Sequence, residues 1–277
     1  MTANEWALVL GPGGPVGTAW LLGLAAGLRE AGVDPAGADL IVGTSAGAIA
    51  GAAIMTGRDL PELAELPPRD GPPRAPADMS VMARAFELGA DPDLAPDEVR
   101  RRIGRLALEA EALPEEEHRA SMLFLVGTDE WPSGRLLVTG VDVAAGEPVV
   151  WDAASGVPLS AAVAASSAAP GFARPVTVGG RRYMDGAFGG GSNAALAKGA
   201  GTIVLVEPFG RLGDGAQAAV RIAPDERSQE VFGDNVGDMS RWTPAYREGR
   251  RQAAEAAELI AAALTVKSGS VSRYRDR

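Results

Sequence analysis

The run Gly43-Thr44-Ser45-Ala46-Gly47 decides how this chain folds and where its chemistry is expected. Leu40-Ile41-Val42 precede it and small residues follow it to Ile54, so the pattern predicts a strand that turns sharply into a helix at Ser45. A Gly-x-Ser-x-Gly turn in this setting is a nucleophile elbow. The glycines permit the tight turn, and the helix start directs backbone N–H groups toward a developing anion. A glycine-rich turn with an incidental serine is the alternative.

Composition narrows the class of protein. The chain has 277 residues, 46% of them hydrophobic and 22% charged, which is typical of a globular domain with a large core. We interpret residues 1–277 as a single α/β domain. The net charge of -10 disfavours nucleic acid as a partner. Without cysteine and with one histidine, His118, the chain has few ligands for zinc or iron, so we expect no metal and no cofactor.

The sequence contains no segment that reads as a signal or a membrane span. No basic segment followed by a long apolar run precedes Glu5, as a signal peptide would require. The longest uncharged apolar stretch, Ala46 to Met55, is much shorter than the roughly 20 residues that cross a bilayer. These features predict a cytoplasmic protein with at most peripheral membrane contact. The oligomeric state stays open.

Strands and helices alternate around the elbow. The apolar run Trp6 to Leu10 predicts a buried strand, and residues 16–31 predict a helix that stops at Gly32. Residues 39–42 form the next predicted strand, and the elbow helix is expected to end near Gly57. This alternation with short loops predicts a mostly parallel sheet that is covered by helices on both faces.

A proline-rich stretch follows the elbow helix. Residues 60–80 contain six prolines, too many for a regular helix or a central strand, and predict a loop or cap. The stretch also carries Leu60, Leu63 and Leu66, so it is either a lid beside an acyl-chain tunnel or a loop pinned to the core. Helices are predicted for residues 96–112 and from Pro114 onward, and we treat about residues 60–120 as a cap or lid segment.

The rest of the chain supplies further strands and an acidic residue. We predict a strand pair at residues 136–141 and 147–151, a helix at 158–168, a short helix at 193–198 and a strand at 202–206. A final amphipathic helix is predicted at about residues 243–265, with Thr243 as its cap. A hairpin at 176–184 with a two-glycine turn leads to Asp185-Gly186-Ala187. On its own, an Asp-Gly pair is most often only a turn.

The loop Gly11-Pro12-Gly13-Gly14-Pro15-Val16-Gly17 lies between the first strand and the first helix. Such a loop can direct successive N–H groups toward a phosphate or toward the oxyanion of an attacked ester. A dinucleotide-binding loop is the competing interpretation. It is disfavoured because the spacing is not Gly-x-Gly-x-x-Gly followed by a ribose-binding acid.

Together, the glycine-rich loop, the elbow and the late Asp-Gly-Ala resemble the patatin-like phospholipases and acyl hydrolases over roughly residues 6–207. Residues 165–171 and 183–186 are similar to the segments that lead to the family's aspartate. The resemblance implies a three-layer α/β/α sandwich and a Ser–Asp dyad with Ser45 as nucleophile and Asp185 as base. It further implies an oxyanion hole and supporting residues, namely the amides of Gly13 and Gly14, with Gly43, Ala46, Gly47 and Gly186 around the dyad.

Two positions depart from the family pattern. Pro12 stands at the first glycine of the family's loop and removes one N–H donor, and Val16 stands at its lysine or arginine position. Without that basic residue, a neutral ester, a thioester or a lysolipid is as good a candidate substrate as a phospholipid.

The dyad interpretation leaves His118 without a catalytic role. His118 precedes every late acidic residue, whereas an α/β-hydrolase triad runs Ser, acid, His, and we expect it to be a solvated helix residue. The favoured function is a serine acyl hydrolase that cleaves a fatty-acyl ester or a (lyso)phospholipid through an acyl-enzyme. An acyltransferase, or a catalytically weak ligand-binding protein of the same fold, is the alternative.

Overall fold

The computed structural model describes residues 5–67, 77–210 and 218–271, with side chains described as far as residue 265. Within these ranges the strands are Trp6–Leu10 (β1), Leu40–Gly43 (β2), Leu136–Asp142 (β3), Pro148–Trp151 (β4), Val176–Val178 (β5), Arg181–Asp185 (β6), Thr202–Val206 (β7) and Val220–Ile222 (β8). The helices are Gly14–Glu30 (α1), Ala46–Met55 (α2), Met79–Gly89 (α3), Pro96–Glu109 (α4), Glu115–Val126 (α5), Leu159–Ser166 (α6), Ala187–Gly190 (α7), Glu226–Phe232 (α8) and Trp242–Val271 (α9). The prolines at 68, 72, 73 and 76 of the expected cap lie outside the described residues.

The described strands form one mixed sheet, hydrogen-bonded in the order β5-β6-β3-β2-β1-β7-β8, with β4 also paired to β3. Neighbouring strands in the run β3-β2-β1-β7-β8 pair in parallel, whereas β4, β5 and β6 form antiparallel pairs. The centre is parallel because β1, β2 and β7 read as continuous apolar runs that helices cover. This confirms the predicted α/β fold with a mostly parallel sheet.

The helices lie on both faces of the sheet. Alternate residues of β1 point to opposite sides: Leu8 and Leu10 join the main core with α1, α2, α5, α6 and α9, whereas Ala7 and Val9 face a smaller cluster. A short 3-10 helix, Ala194–Ala197, contributes to that smaller cluster. Helices α3 and α4 cover the far end of β3 through a third cluster that includes Met184. The sheet therefore lies inside an α/β/α sandwich. Among the described helices, none is long and apolar enough to cross a membrane.

Several sequence predictions need correction at the element ends. Helix α9 begins at Trp242, so Thr243 is not its cap; the Thr243 hydroxyl donates instead to the Ala64 carbonyl at 2.8 Å. The short helix expected at 193–198 is the 3-10 turn at 194–197. Helix α3 starts at Met79, inside the stretch predicted to be a loop.

The first part of the proline-rich stretch is attached to the core. Pro61–Ala64 forms a 3-10 turn, and Leu60 and Leu63 are fully buried beside α1 and α9. The indole of Trp242 donates to the Leu63 carbonyl at 2.8 Å. For residues 60–64, therefore, the apolar side chains anchor the chain, which was one of the two interpretations left open.

Helices α1 and α9 touch through glycines. A Cβ built on Gly23 would lie 1.9 Å from the Tyr246 carbonyl oxygen, and one built on Gly249 would lie 2.0 Å from the Trp20 carbonyl oxygen. Both distances are far inside van der Waals contact, so the two backbones approach as closely as they do only because these side chains are absent. This contact holds α9 over the helix that carries the glycine-rich loop at its start.

We therefore expect Gly249→Ala to destabilise the protein, although alanine favours a helix. Overpacking costs typically about 1–3 kcal/mol, which exceeds the gain of up to about 1 kcal/mol in helix propensity. Gly89→Ala is the matched control, because Gly89 also lies in a helix and a Cβ there would meet no atom within 4 Å. Thermal unfolding of both variants checks the prediction. Equal melting temperatures for the two would contradict it.

Candidate active site

Strand β3 is the template on which the site is assembled. Val138 pairs with both β2 and β4, and Gly140 pairs with both β4 and β6. Because a strand has only two edges, β2 and β6 must share the edge of β3 that β4 leaves free. Gly43 pairs with Val138, and Asp185 pairs with Gly140 from the opposite direction. The ends of β2 and β6 therefore meet, which brings Ser45 and Asp185 together.

The backbone strain of the elbow is at Ser45 itself. Its dihedral angles are φ 55° and ψ -117°, a conformation that non-glycine residues rarely adopt. Gly43 and Gly47 have no positive φ, so they permit the tight turn by the absence of a side chain and not by an unusual backbone conformation. They are needed for space: a Cβ on Gly47 would lie 1.9 Å from the Leu10 carbonyl oxygen, and one on Gly43 2.6 Å from the Ala48 Cα. Helix α2 thus starts directly against the ends of β1 and β2.

Ser45 and Asp185 form a buried pair. Ser45 is 6% exposed and Asp185 3%, and an interaction with the Ser45 side chain lowers the pKa of the Asp185 carboxyl. The Ala187 amide donates to Asp185 Oδ1 at 2.9 Å. Burial raises the pKa of Asp185 to about 6 from an ordinary 3.8, although both interactions lower it. Asp185 is therefore a stronger base than a solvated aspartate.

Three backbone N–H groups beside Ser45 have no acceptor among the described residues: those of Gly13, Gly14 and Ala46. Leu10 pairs with Gly43, so the glycine-rich loop and the elbow leave the sheet at the same level. The Gly11 amide is used by the Val206 carbonyl at 2.9 Å, and Pro12 has no N–H. The Ala46 amide begins α2, where donors are normally free, as expected for the helix start behind Ser45, although only Gly13 and Gly14 were assigned to the oxyanion hole from the sequence.

Polar side chains that the sequence argument missed support the elbow. Ser166 Oγ accepts from the Ser45 amide at 3.0 Å, and the hydroxyls of Thr44 and Thr139 are 2.9 Å apart. Asn193 lies against both threonines. Ser166 belongs to residues 165–171, which resemble the segment that leads to the family's aspartate, so the sequence did contain a pattern that points to it. No pattern in the sequence distinguishes Thr139 or Asn193.

The prediction that His118 is solvated was wrong. It is 6% exposed, not solvated, and its Nε2 lies 3.0 Å from the Ala164 carbonyl oxygen and 3.2 Å from Ser167 Oγ. The acidic residues around it in sequence indicated a solvated face, but helix α6 packs against α5 and covers the ring. His118 thus contacts the helix that ends at Ser166.

The site and fold define a class: an α/β/α sandwich in which a serine at a strand–helix elbow lies beside a buried aspartate. The family model of the patatin-like phospholipases matches residues 8–198. The chain belongs to this family. The match ends before β7, so β7, β8, α8 and α9 lie outside it.

The solved structures that the chain resembles include two distant ones. The crystal structure of VipD from Legionella pneumophila is 15% identical, with a TM-score of 0.40, over 77% of this chain and 51% of that one. The type III effector protein ExoU is 17% identical, with a TM-score of 0.41, over 92% of this chain and 53% of that one. The chain thus spans about half the length of either protein, and scores this low carry no argument. The comparison with curated proteins gave no match.

The raised pKa of Asp185 predicts a stability effect that is separate from activity. A carboxyl group whose pKa rises on folding destabilises the fold once it must ionise, so the cost is absent below the unfolded pKa of 3.8 and complete above pH 6. Asp185→Asn removes this cost. We expect the variant to be more stable than wild type at pH 8, by at most about 3 kcal/mol, and equally stable below pH 4.

Thermal unfolding across this pH range measures the effect. Asp93→Asn serves as the control, because Asp93 is an exposed aspartate away from the site, and its stability difference should not change between pH 4 and pH 8. If Asp185→Asn were less stable than wild type at pH 8, the idea that the charge of Asp185 lowers the free energy of unfolding would be contradicted.

Proposed function

We propose that the protein is a serine acyl hydrolase that cleaves fatty-acyl esters through an acyl-enzyme on Ser45. The observation that carries the proposal is that β2 and β6 bring Ser45 and the carboxylate of Asp185 together in a buried site, where the Ser45 side chain lowers the pKa of that carboxyl. A nucleophile beside a base of raised pKa is the arrangement that general-base catalysis requires. Membership of the patatin-like phospholipases supports a lipid as substrate.

The first half of the reaction forms the acyl-enzyme. Ser45 Oγ attacks the carbonyl carbon of the ester while Asp185 takes the hydroxyl proton. The carbonyl oxygen becomes an oxyanion, for which the free amides of Gly13, Gly14 and Ala46 are the available donors. The tetrahedral intermediate then collapses, the C–O bond to the alcohol breaks, and Asp185 returns the proton to the departing alcohol.

The second half reverses these roles. Water attacks the acyl carbon and gives its proton to Asp185, the oxyanion forms again at the same amides, and the bond to Ser45 Oγ breaks. The proton passes to Ser45, which releases the fatty acid and restores the pair. Asp185 therefore handles the proton in both halves, and no second acid or base is needed.

The surroundings of α1 favour a neutral group near the ester over a phosphate. Val16 is fully buried in the main core, so its side chain supplies no cation there. Its amide donates to the Val236 carbonyl at 3.1 Å, so it is not available for an anion. A neutral ester or a lysolipid whose head group lies outside this pocket therefore fits best.

An acyltransferase is the second candidate, because an alcohol that replaces water in the second half would receive the acyl group from Ser45. A chromogenic acyl ester assayed with and without a long-chain alcohol separates the two. Hydrolysis that the alcohol leaves unchanged supports the hydrolase, and release that depends on the alcohol supports the transferase.

We expect Ser45→Ala to abolish ester hydrolysis, because only the nucleophilic oxygen is lost at a position that accepts a small residue. A fluorophosphonate probe should label the wild-type protein at Ser45 and should not label the variant. Peptide mapping by mass spectrometry locates the label. Labelling at another serine would overturn the assignment.

The pH dependence should identify the base. Because Asp185 must be ionised to accept a proton, kcat/KM should rise with pH through an apparent pKa near 6 and then level off. Histidine side chains ordinarily titrate in the same range, so His118→Gln is the decisive variant. It should keep this limb of the profile, with kcat within about tenfold of wild type, even if it lowers stability. Loss of the limb in His118→Gln would contradict the dyad.

We also propose that α3 borders the acyl chain. Its residue Val81 lies beside Gly171, Ala85 packs into the cluster with Met184, and the ring of Phe86 lies 6.1 Å from that of Phe188, which follows Asp185 closely. Phe86 is nevertheless 51% exposed, which leaves an apolar face beside the site.

Phe86→Ser should therefore raise KM for long-chain esters and leave acetyl esters unaffected. Phe124→Ser is the matched control, because Phe124 is 46% exposed on α5 and packs under Arg58, away from the pair. Initial rates on a series of acyl-chain lengths give the comparison. Equal losses at every chain length, or the same selectivity change in the control, would remove α3 from the substrate pocket.

A further inference from the structure

Asn193 adopts an unusual backbone conformation beside the dyad. Its dihedral angles are φ 54° and ψ 31°, and within the described residues it shares a positive φ with only one other non-glycine residue, Ser45. Asparagine tolerates this left-handed conformation better than most residues, at a cost that its surroundings must offset. The conformation directs the amide of Asn193 inward from the loop that follows α7.

The amide of Asn193 contacts segments from three parts of the chain. Its Nδ2 lies 3.0 Å from Thr44 Oγ1, 3.3 Å from Thr139 Oγ1 and 3.2 Å from the carbonyl oxygen of Gly186. The carbonyl oxygen of Gly191 is also 3.2 Å away. Two of these four neighbours are carbonyl oxygens, which only accept, so the group facing them must be the NH₂ donor and not the amide oxygen.

The hydrogen bonds of this cluster can all run in one direction. With Nδ2 donating to Thr44, the Thr44 hydroxyl donates to Thr139 Oγ1 at 2.9 Å. The Thr139 hydroxyl then points toward the Gly43 carbonyl oxygen at 3.5 Å. The chain of bonds begins at Asn193 and ends on the elbow.

The contacts of Asn193 adjoin both members of the dyad. Thr44 immediately precedes Ser45, and Gly186 immediately follows Asp185. Gly186 lies so close to β3 that a Cβ there would be 2.3 Å from Thr139 Oγ1. One side-chain amide thus connects the side chain of the residue before the nucleophile to the backbone carbonyl of the residue after the base.

We infer that Asn193 is a positioning residue that holds the Ser45 and Asp185 segments at the separation that proton transfer requires. The inference rests on the proposed function, because it assigns Asn193 a role in that reaction. Asn193 touches neither the substrate nor the transferred proton. Its effect is to restrict the relative movement of two segments that are distant in sequence, and small misplacements of reacting groups are costly.

We call Asn193, Thr44 and Thr139 the clamp. Four variants test its role. Asn193→Asp keeps the shape and the left-handed preference but replaces the donor with an acceptor that faces other acceptors. Thr139→Val removes one hydroxyl, and Thr139→Ser restores it. Thr56→Val is the stability control, since Thr56 donates to the Val126 carbonyl at 3.0 Å, away from the site.

We expect Asn193→Asp and Thr139→Val to lower kcat by about tenfold or more with little change in KM, and to slow fluorophosphonate labelling similarly. Thr139→Ser should recover most of the lost activity. The acid limb of the pH profile should move to higher pH in Thr139→Val, which adds no charge, because a lengthened contact weakens the Ser45 interaction that lowers the pKa of Asp185. Thr56→Val should lose stability without changing any of these quantities.

The same variants distinguish failure of the clamp from failure of the proposed function. Carbon NMR titration of the Asp185 carboxyl, assigned by its loss in Asp185→Asn, follows the pair without any substrate. If the uncharged substitution Thr139→Val raises the Asp185 pKa in a protein that shows no hydrolysis, the clamp stands and the proposed function fails. If folded Asn193→Asp and Thr139→Val keep the wild-type kcat and the wild-type Asp185 titration, the clamp is overturned.

Discussion

The whole site depends on the shared edge of β3. With β4 on one edge, β2 and β6 occupy the other edge and run in opposite directions. The ends of β2 and β6 pair with Val138 and Gly140, which are two residues apart on β3, so the two ends meet. The reacting pair therefore lies where two strands terminate against each other. Side chains would separate these ends, which is why glycine stands at 43, 47 and 186, each too close to a neighbouring backbone or hydroxyl for a Cβ.

The second constraint is the burial of a carboxylate. Taking a charge out of water is unfavourable, and at Asp185 only two interactions oppose it, so its pKa stays above the ordinary range. That same shift makes the carboxylate a better base for a serine hydroxyl. The site thus reduces the stability of the fold at neutral pH in exchange for basicity, a conflict that functional sites commonly show.

Sequence patterns predicted β1, α1, β2 and α2 because these are continuous apolar or small-residue segments that end in glycine. The same local signals could not predict His118, whose burial depends on the packing of α6 against α5, or Asn193, whose contacts come from β2, β3 and α7. Helix α3 was missed because prolines dominate the sequence before it. The close α1–α9 contact depends on paired glycines that are far apart in the chain, and a single sequence contains no record of that pairing.

The central claim is that Ser45 carries the acyl group during turnover. The most direct measurement is to quench the reaction of the wild-type protein with an excess of a chromogenic acyl ester in acid within the first turnover, and to map its peptides by mass spectrometry. The account predicts that the peptide containing Ser45 gains the mass of the acyl group, and that the gain disappears as the ester is consumed. Product release with no acyl mass on Ser45, or with that mass on another residue, would contradict it.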